Sequence, residues 1–232
     1  LGVRLAGTDA SGIIPLADHL IANSEATASF LLKHFNADKN KITFDYHALP
    51  GKKIIQHKPQ PGKFVIGSSG TALSHKGAQL FVQLAAAINR KTPQNNFIFK
   101  WVGNHQTLKQ ELEYDIRNCG LEGKVIFTGE LDNPFETYSE FDFFVSLSKE
   151  ESFGLACMEA AATGIPVGGF EGTGGIEELI KKCDGLLVPY LDIDKMANSL
   201  IELSGNEMRL KEMGKKASAL STDFLPGKII PA

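Results

Sequence analysis

Short apolar runs and longer amphipathic stretches alternate along most of the chain. KFVIGSS at 63–69 and NFIFKWVG at 96–103 have the β-branched and aromatic composition of buried strands. Between them, KGAQLFVQLAAAINR at 76–90 carries its apolar residues at helical spacing. Six such strands, separated by helical stretches, fit between residues 63 and 189. This order predicts an α/β fold, a doubly wound parallel sheet with helices on both faces.

The first part of the chain follows a different pattern. Residues 19–51 predict a short strand, a helix capped by Ser24 and a second strand, which is too little for a separate domain. The next segment is rich in Pro, Lys and Gln and is typical of a linker. Because the sequence begins without Met, we expect it to be part of a longer protein. The predicted division is a remnant of a preceding domain at 1–47, a linker at 48–62, a ligand-binding domain at 63–220 and a tail at 221–232.

Composition and charge narrow the class of protein. The 232 residues carry a formal net charge of -3 without a basic block, so a nucleic-acid partner is not expected. The three cysteines are far apart and lack a CxxC spacing, which predicts neither a disulfide framework nor a metal site. No apolar run approaches the ~20 residues that span a bilayer, and the N-terminus lacks the pattern of a signal peptide. These features predict a cytoplasmic protein.

The candidate chemistry is concentrated in KEESFGLACMEAAATGIPVGGF at 149–170. Glu151 and Glu159 lie at the two ends of an apolar segment, and a helix is predicted to begin near Phe153 and Gly154. Their separation would be ~12 Å along a helix, whereas the two carboxyl groups of glycosidases lie ~5–9.5 Å apart. The pair is therefore predicted to contact one long ligand at two points, and not to act as a hydrolytic dyad. Free amide groups at the helix start would bind a diphosphate between the two acids, which indicates a nucleotide sugar.

Other motifs occur around this stretch in a fixed order. They are WVGN, KVIFTGEL, YSEFDFFVSLSKEESFG, ESFGLACMEAAATGIPV, GTGGIEELI, DGLLVP and DIDKMANSLIEL. Together they resemble the C-terminal, donor-binding domain of retaining glycosyltransferases of family 4, the group-1 glycosyl transferases of the GT-B fold. HLIANSEATASFLLKHF at 19–35 resembles the last strand and helix of the family's N-terminal, acceptor-side domain. The resemblance covers nearly the whole chain after about Asp18 and implies a Rossmann-like sheet.

The resemblance implies a role for each matching residue. Glu151 would position the transferred sugar and stabilise charge near its anomeric carbon. Glu159 would accept hydrogen bonds from the ribose, and Lys76 would neutralise the leaving diphosphate. The other implied donor-binding residues are Ser152, Phe153, Gly154 and Leu155 at the sugar and phosphate, Gly129, Glu130 and Leu131 at the nucleobase, and Gly103, Ser68 and His75 along the same strand ends.

One segment departs from the family's pattern. The family usually carries an arginine shortly after the glycine of the first strand, or just before the diphosphate-binding lysine. IGSSGTALSHKG at 66–77 has neither, and His75 precedes Lys76. We expect a protonated His75, or the polar groups that follow the strand, to compensate. These groups are the hydroxyls of Ser68 and Ser69 and the amides of Gly70 and Thr71.

The implied function is transfer of a sugar from a UDP-, GDP- or other nucleotide-diphosphate sugar to an acceptor, with retention of anomeric configuration. The resemblance implies no cofactor, no metal and no protein nucleophile. The acceptor, a glycan, lipid or small molecule, would bind mainly to the N-terminal domain, through which the protein would associate peripherally with a membrane surface. The missing arginine leaves an alternative open, a non-catalytic nucleotide-sugar-binding module or remnant.

Overall fold

The N-terminal part of the chain contains two short parallel strands joined by a helix. The computed structural model describes residues 12–229, so the predicted segments at 1–47 and 221–232 extend past the described residues. Strand β1 (Leu20–Ala22) pairs with β2 (Ile42–Phe44), and helix α1 (Glu25–Phe35) connects them. The Ser24 hydroxyl accepts a hydrogen bond from the amide of Thr27 at 3.0 Å. The predicted strand, Ser-capped helix and strand are therefore confirmed.

The rest of the chain alternates strands and helices as predicted. These elements are β3 (Phe64–Ser69), α2 (Ala78–Lys91), β4 (Phe97–Val102), α3 (Lys109–Asn118), β5 (Val125–Gly129), α4 (Phe135–Tyr138), β6 (Phe143–Ser146), α5 (Leu155–Ala162), β7 (Val167–Phe170), α6 (Gly175–Lys182), β8 (Leu186–Val188), α7 (Ile193–Ser204), α8 (Glu207–Ser221) and α9 (Pro226–Ile229). The six strands form one parallel sheet in the order β5-β4-β3-β6-β7-β8. The winding reverses between β3 and β6, and ligands of such sheets bind at this switch point.

Two apolar clusters cover the two faces of this sheet. Phe143 of β6 belongs to the cluster formed with α2 and α7, whereas its neighbour Phe144 belongs to the cluster formed with α5 and α6. Successive side chains of a strand point to opposite faces, so each strand supplies both clusters. The doubly wound, Rossmann-like fold is thus confirmed. Among residues 12–229, no helix has both the length and the apolar character needed to cross a membrane.

The segment at 48–62 lies along the main sheet domain. Leu49 is buried, and its amide donates a hydrogen bond to the carbonyl of Phe224 at 2.7 Å. Further along, the amide of His57 donates to the carbonyl of Thr163 at 2.8 Å. These bonds hold the connecting segment against the domain. The buried Phe224 and the partly buried Ile229 pack the C-terminal residues up to α9 against the same apolar cluster.

Candidate active site

Three neighbouring strands of the sheet lead into glycines at their carboxyl ends. Gly70 follows β3, Gly103 follows β4, and Gly129 ends β5. The amide of Gly103 donates to the carbonyl of Gly129 at 2.9 Å, and a side chain on Gly103 would place its Cβ 2.3 Å from the carbonyl oxygen of Gly70. All three have positive φ, of 138°, 131° and 80°, which favours glycine. Gly70 and Gly129 have open space where a Cβ would lie, so a ligand can approach their backbone closely.

The loop after β6 carries Glu151 to the same edge of the sheet. Its amide donates to the carbonyl of Thr173 at 2.7 Å, which joins it to the loop after β7. Gly154 takes φ of 90° as the residue before α5, and its Cα faces the side chain of Ile176. Helix α5 begins at Leu155, directly after the predicted start near Phe153 and Gly154, and its N-terminus lies at the carboxyl end of β6. Free amides at such a terminus favour an anion.

Lys76 and Glu151 form an ion pair across the switch point. Lys76 Nζ lies 2.5 Å from Glu151 Oε2, and the two side chains are 25% and 18% exposed. Lys76 lies in a short turn between β3 and α2. The amide of Lys149 donates to the carbonyl of His75 at 2.8 Å, which ties this turn to the loop after β6. The sequence predicted both residues for the site but did not predict their direct contact.

Glu159 lies inside α5, on the side that faces β3 and α4. Its Oε2 is 3.4 Å from the hydroxyl of Tyr138, which is also 2.7 Å from Ser69 Oγ. Burial raises the pKa of Glu159, and the hydrogen bond from Tyr138 and the charge of Lys52 partly offset this rise. Burial also raises the pKa of Tyr138, which keeps its hydroxyl protonated. Sequence reasoning missed Tyr138, although it stands in YSEFD directly before β6.

The other predicted residues lie at different depths along the same edge. Glu130 and Leu131 follow β5 directly and are exposed beside Gly129. Ser68 is buried within β3. The structure thus brings the glycine-containing strand ends, the loop with Glu151 and the start of α5 to one edge of the sheet, with Ser68 beneath its surface.

The N-terminal part of the chain contacts the same loop directly. The side-chain amide of Asn23 donates to Ser152 Oγ at 3.2 Å and lies 3.1 Å from Nε2 of His47. The His47 ring packs edge-on against Phe153, with 5.4 Å between ring centroids. These contacts were not predicted, because nothing in the local pattern around Asn23 links it to a loop more than a hundred residues away.

The carboxyl edge of this parallel sheet combines a switch point, an anion-favouring helix start and the Lys76–Glu151 ion pair. This arrangement is typical of nucleotide-binding folds. The sequence profile of the family described as "Glycosyl transferases group 1" matches residues 51–219. The chain therefore belongs to the group 1 glycosyl transferases. The match spans the whole cleft, from the connecting segment to α8.

Two curated relatives cover most of the chain. The lipopolysaccharide core biosynthesis mannosyltransferase LpsB of Rhizobium meliloti (strain 1021) is 29% identical over 213 residues, which are 85% of this chain and 58% of that protein. The D-inositol 3-phosphate glycosyltransferase of Paenarthrobacter aurescens (strain TC1) is 28% identical over 229 residues, covering 91% and 55%. The chain thus spans little more than half the length of these relatives.

A solved structure shows the same fold. The crystal structure of Anabaena Alr3699/HepE, in complex with UDP and glucose, superposes with a TM-score of 0.75 at 21% identity, covering 90% of this chain and 59% of that chain. At this identity the likeness supports the fold, and it agrees with the predicted GT-B architecture.

Proposed function

We propose that this chain carries the donor site of a retaining glycosyltransferase of family 4 and binds a nucleotide-diphosphate sugar. The observation that carries the proposal is the Lys76–Glu151 ion pair at the switch point, beside the start of α5, the helix that contains Glu159. A cation, an anion-favouring helix start and two separated carboxylates match the phosphates and the two sugar rings of such a donor. The complex of HepE with UDP and glucose supports this choice of ligand.

Each group in the cleft is suited to one part of the donor. Lys76 would leave Glu151 and neutralise the diphosphate, together with the backbone amides of residues 152–155. Glu151 would then be free to accept hydrogen bonds from hydroxyls of the transferred sugar. Glu159, deeper in the cleft, would accept them from the ribose. The open backbone at Gly129, with Glu130 and Leu131 beside it, would receive the nucleobase.

The proposed reaction breaks the bond between the sugar and the diphosphate through an oxocarbenium-like state, and the acceptor attacks from the same face. Lys76 stabilises the charge that develops on the leaving diphosphate. Glu151 holds the sugar and stabilises positive charge near the anomeric carbon, without forming a covalent bond. The residues require no cofactor and no metal for these steps.

The acceptor side is proposed to lie mainly in a domain of which residues 1–47 are the end, joined by the linker at 48–62 to the donor domain at 63–220. The proposed acceptor is a glycan, a lipid or a small molecule. The description of LpsB as a lipopolysaccharide core biosynthesis enzyme supports a role in polysaccharide or glycoconjugate synthesis. A cytoplasmic enzyme that meets such an acceptor at a membrane surface fits this proposal.

Titration calorimetry with UDP, GDP and their sugars tests the donor site. We expect one nucleotide series to bind, and Glu159→Ala to weaken that binding. A chain that binds no nucleotide would contradict the proposal. A parallel turnover assay is expected to show little transfer by these 232 residues alone, and efficient transfer would contradict the assignment of the acceptor side to a further domain.

The second candidate is a non-catalytic nucleotide-sugar-binding module. The segment around Lys76 favours it, because no arginine occurs between Arg4 and Arg90 to share the charge of the diphosphate. Binding and transfer assays on the longest natural protein that contains this chain would distinguish the two candidates. Donor binding without transfer or donor hydrolysis in that protein would favour the module.

A further inference from the structure

Tyr138 is a buried aromatic residue whose hydroxyl contacts two polar side chains, those of Ser69 and Glu159. It ends α4, and only 1% of its surface is exposed. Its ring packs against Phe135, Phe141 and Phe144, with centroid distances of 6.0, 5.7 and 6.3 Å. These contacts leave the ring little freedom, so the position of its hydroxyl is fixed by the apolar cluster around it.

The hydroxyl of Tyr138 connects the two sides of the switch point. It lies 2.7 Å from the hydroxyl of Ser69, which ends β3, and 3.4 Å from a carboxylate oxygen of Glu159 in α5. A buried hydroxyl needs a hydrogen-bond partner, and a phenol has one proton to donate. The Tyr138 proton therefore goes to one of the two oxygens at a time. When it goes to Glu159, the hydroxyl of Ser69 can donate to Tyr138 in return.

We propose that Tyr138 is a positioning residue, whose hydroxyl holds the Glu159 carboxylate in the orientation that accepts hydrogen bonds from the ribose of the donor. This inference rests on the proposed function, because only that proposal places Glu159 at the ribose. Tyr138 itself does not contact the donor.

The surroundings of Glu159 make such support necessary. Burial raises the pKa of its carboxyl, and a protonated carboxyl is a poorer acceptor for ribose hydroxyls. Two groups act against the rise in pKa, the hydroxyl of Tyr138 from α4 and the charge of Lys52 from the connecting segment. Lys52 is exposed and donates a hydrogen bond to the carbonyl of Asp132. Of these two groups, only Tyr138 is a buried partner of Glu159.

The first experiment compares Tyr138→Phe with Tyr114→Phe by titration calorimetry with UDP. Tyr138→Phe keeps the packed ring and removes only the hydroxyl. Tyr114 is 61% exposed on α3 and serves as the matched control. We expect the Kd for UDP to rise about threefold to tenfold in Tyr138→Phe, less than for the direct loss of a charged acceptor because Tyr138 acts through Glu159, and to stay unchanged in the control. An unchanged Kd in Tyr138→Phe would overturn the inference.

A double-mutant cycle with Glu159→Ala separates positioning from a general structural effect. If Tyr138 acts through Glu159, adding Tyr138→Phe to Glu159→Ala should not weaken UDP binding further. Equal weakening in both backgrounds would show that Tyr138 only supports the fold. If the unsubstituted chain binds no nucleotide, the proposed function fails and this inference with it. If Glu159→Ala weakens binding but Tyr138→Phe does not, only this inference fails.

A second measurement does not depend on a ligand. The Glu159 carboxyl carbon is followed by NMR across pH in the unsubstituted chain and in Tyr138→Phe, with Glu159→Gln to assign its signal. We expect a higher pKa for Glu159 in Tyr138→Phe, because the charged form loses a hydrogen bond. Replacement of Tyr138 by fluorotyrosine, which keeps a more acidic hydroxyl, should lower the pKa and covers the case in which Tyr138→Phe does not fold. A pKa that changes in neither variant would overturn the inference.

Discussion

The two sides of the cleft present different kinds of groups to a ligand. On one side, which we term the glycine side, β3, β4 and β5 lead into Gly70, Gly103 and Gly129 and expose backbone. On the other, which we term the acid side, the loop after β6 and helix α5 present the carboxylates of Glu151 and Glu159. The carboxylates of the acid side thus face a side that presents mainly backbone, together with Lys76 in the turn after β3.

The two sides should therefore respond differently to substitution, one in the stability of the fold and the other in ligand binding. On the glycine side the backbone of Gly103 lies so close to Gly70 that a side chain added at Gly103 must displace another strand end, so this substitution should act on the fold. On the acid side the carboxylates are partly exposed and can be replaced without moving the backbone, so substitutions there should act on binding. The predictions below examine this separation, from the largest expected effect to the smallest.

Gly103→Ala should destabilise the fold strongly. Its Cβ would lie 2.3 Å from a backbone oxygen, at a φ of 131° that alanine disfavours. We expect a loss of about 3 kcal/mol in the free energy of unfolding, from strain and overpacking together. Gly120→Ala is the control, because φ there is 63° but nothing lies within 4 Å of the added Cβ. It should cost about 1 kcal/mol. If urea denaturation gave equal losses for Gly103→Ala and Gly120→Ala, the close approach of Gly103 to Gly70 would not contribute to the cost.

Glu159→Ala should weaken UDP binding with little effect on stability. Removal of a charged acceptor for the ribose hydroxyls is expected to raise the Kd about thirtyfold, or about 2 kcal/mol. Glu202→Ala, an exposed glutamate on α7, is the matched control and should leave the Kd unchanged. Calorimetry gives the Kd, and urea denaturation gives the stability of the same samples. If the loss of binding followed a loss of stability, the acid side would be structural like the glycine side.

The sequence predicted the parts of this cleft that depend on local pattern. Strand and helix order follows from the spacing of apolar residues, and the start of α5 close to Gly154 follows from the motif around it. The ion pair of Lys76 with Glu151 and the hydroxyl contact between Tyr138 and Glu159 could not be predicted in this way. They depend on which side chains meet after the six strands have assembled, and no local spacing records that.

Glu151→Gln should tighten the binding of UDP while reducing the advantage of a UDP-sugar over UDP. In the structure Lys76 is engaged by Glu151, so a diphosphate must displace this partner. Because both side chains are partly exposed, the pair should contribute about 1 kcal/mol, and its loss should lower the Kd for UDP about threefold to fivefold. Lys76→Met should raise the Kd for both ligands.

Glu150→Gln is the control for the Glu151 prediction, since its exposed side chain precedes Glu151 in the same loop. It should change neither Kd. Calorimetry with UDP and with the UDP-sugar in parallel measures the two effects. Weaker binding of UDP by Glu151→Gln would show that Glu151 contacts the nucleotide itself, and would contradict the division of roles between the two acids.

The smallest expected effect concerns what holds the acid side in place. The start of helix α6 abuts the loop that carries Glu151. Glu178 of this helix accepts a hydrogen bond from Tyr46 at 2.7 Å, which joins α6 to the N-terminal part, and one from Lys182 of the same helix at 2.6 Å. Burial alone would raise the pKa of Glu178, but these bonds bring it below the ordinary value of 4.5. A group with a lowered pKa stabilises the fold above its ordinary pKa, and this contribution is lost as the pH falls through the lowered value.

Glu178→Gln should therefore cost about 1 kcal/mol at neutral pH, a value kept small because Lys182 is 40% exposed. The difference from the unsubstituted chain should shrink as the pH falls below 4.5. Urea denaturation over this pH range measures the difference, with the exposed Glu202→Gln as the control for the loss of one charge. The stability lost through Gly103→Ala should not depend on pH, because backbone overlap involves no titrating group. A pH-independent loss in Glu178→Gln would mean that packing, and not the carboxylate, anchors the acid side, and the physical distinction between the two sides would then be limited to the ligand-facing residues.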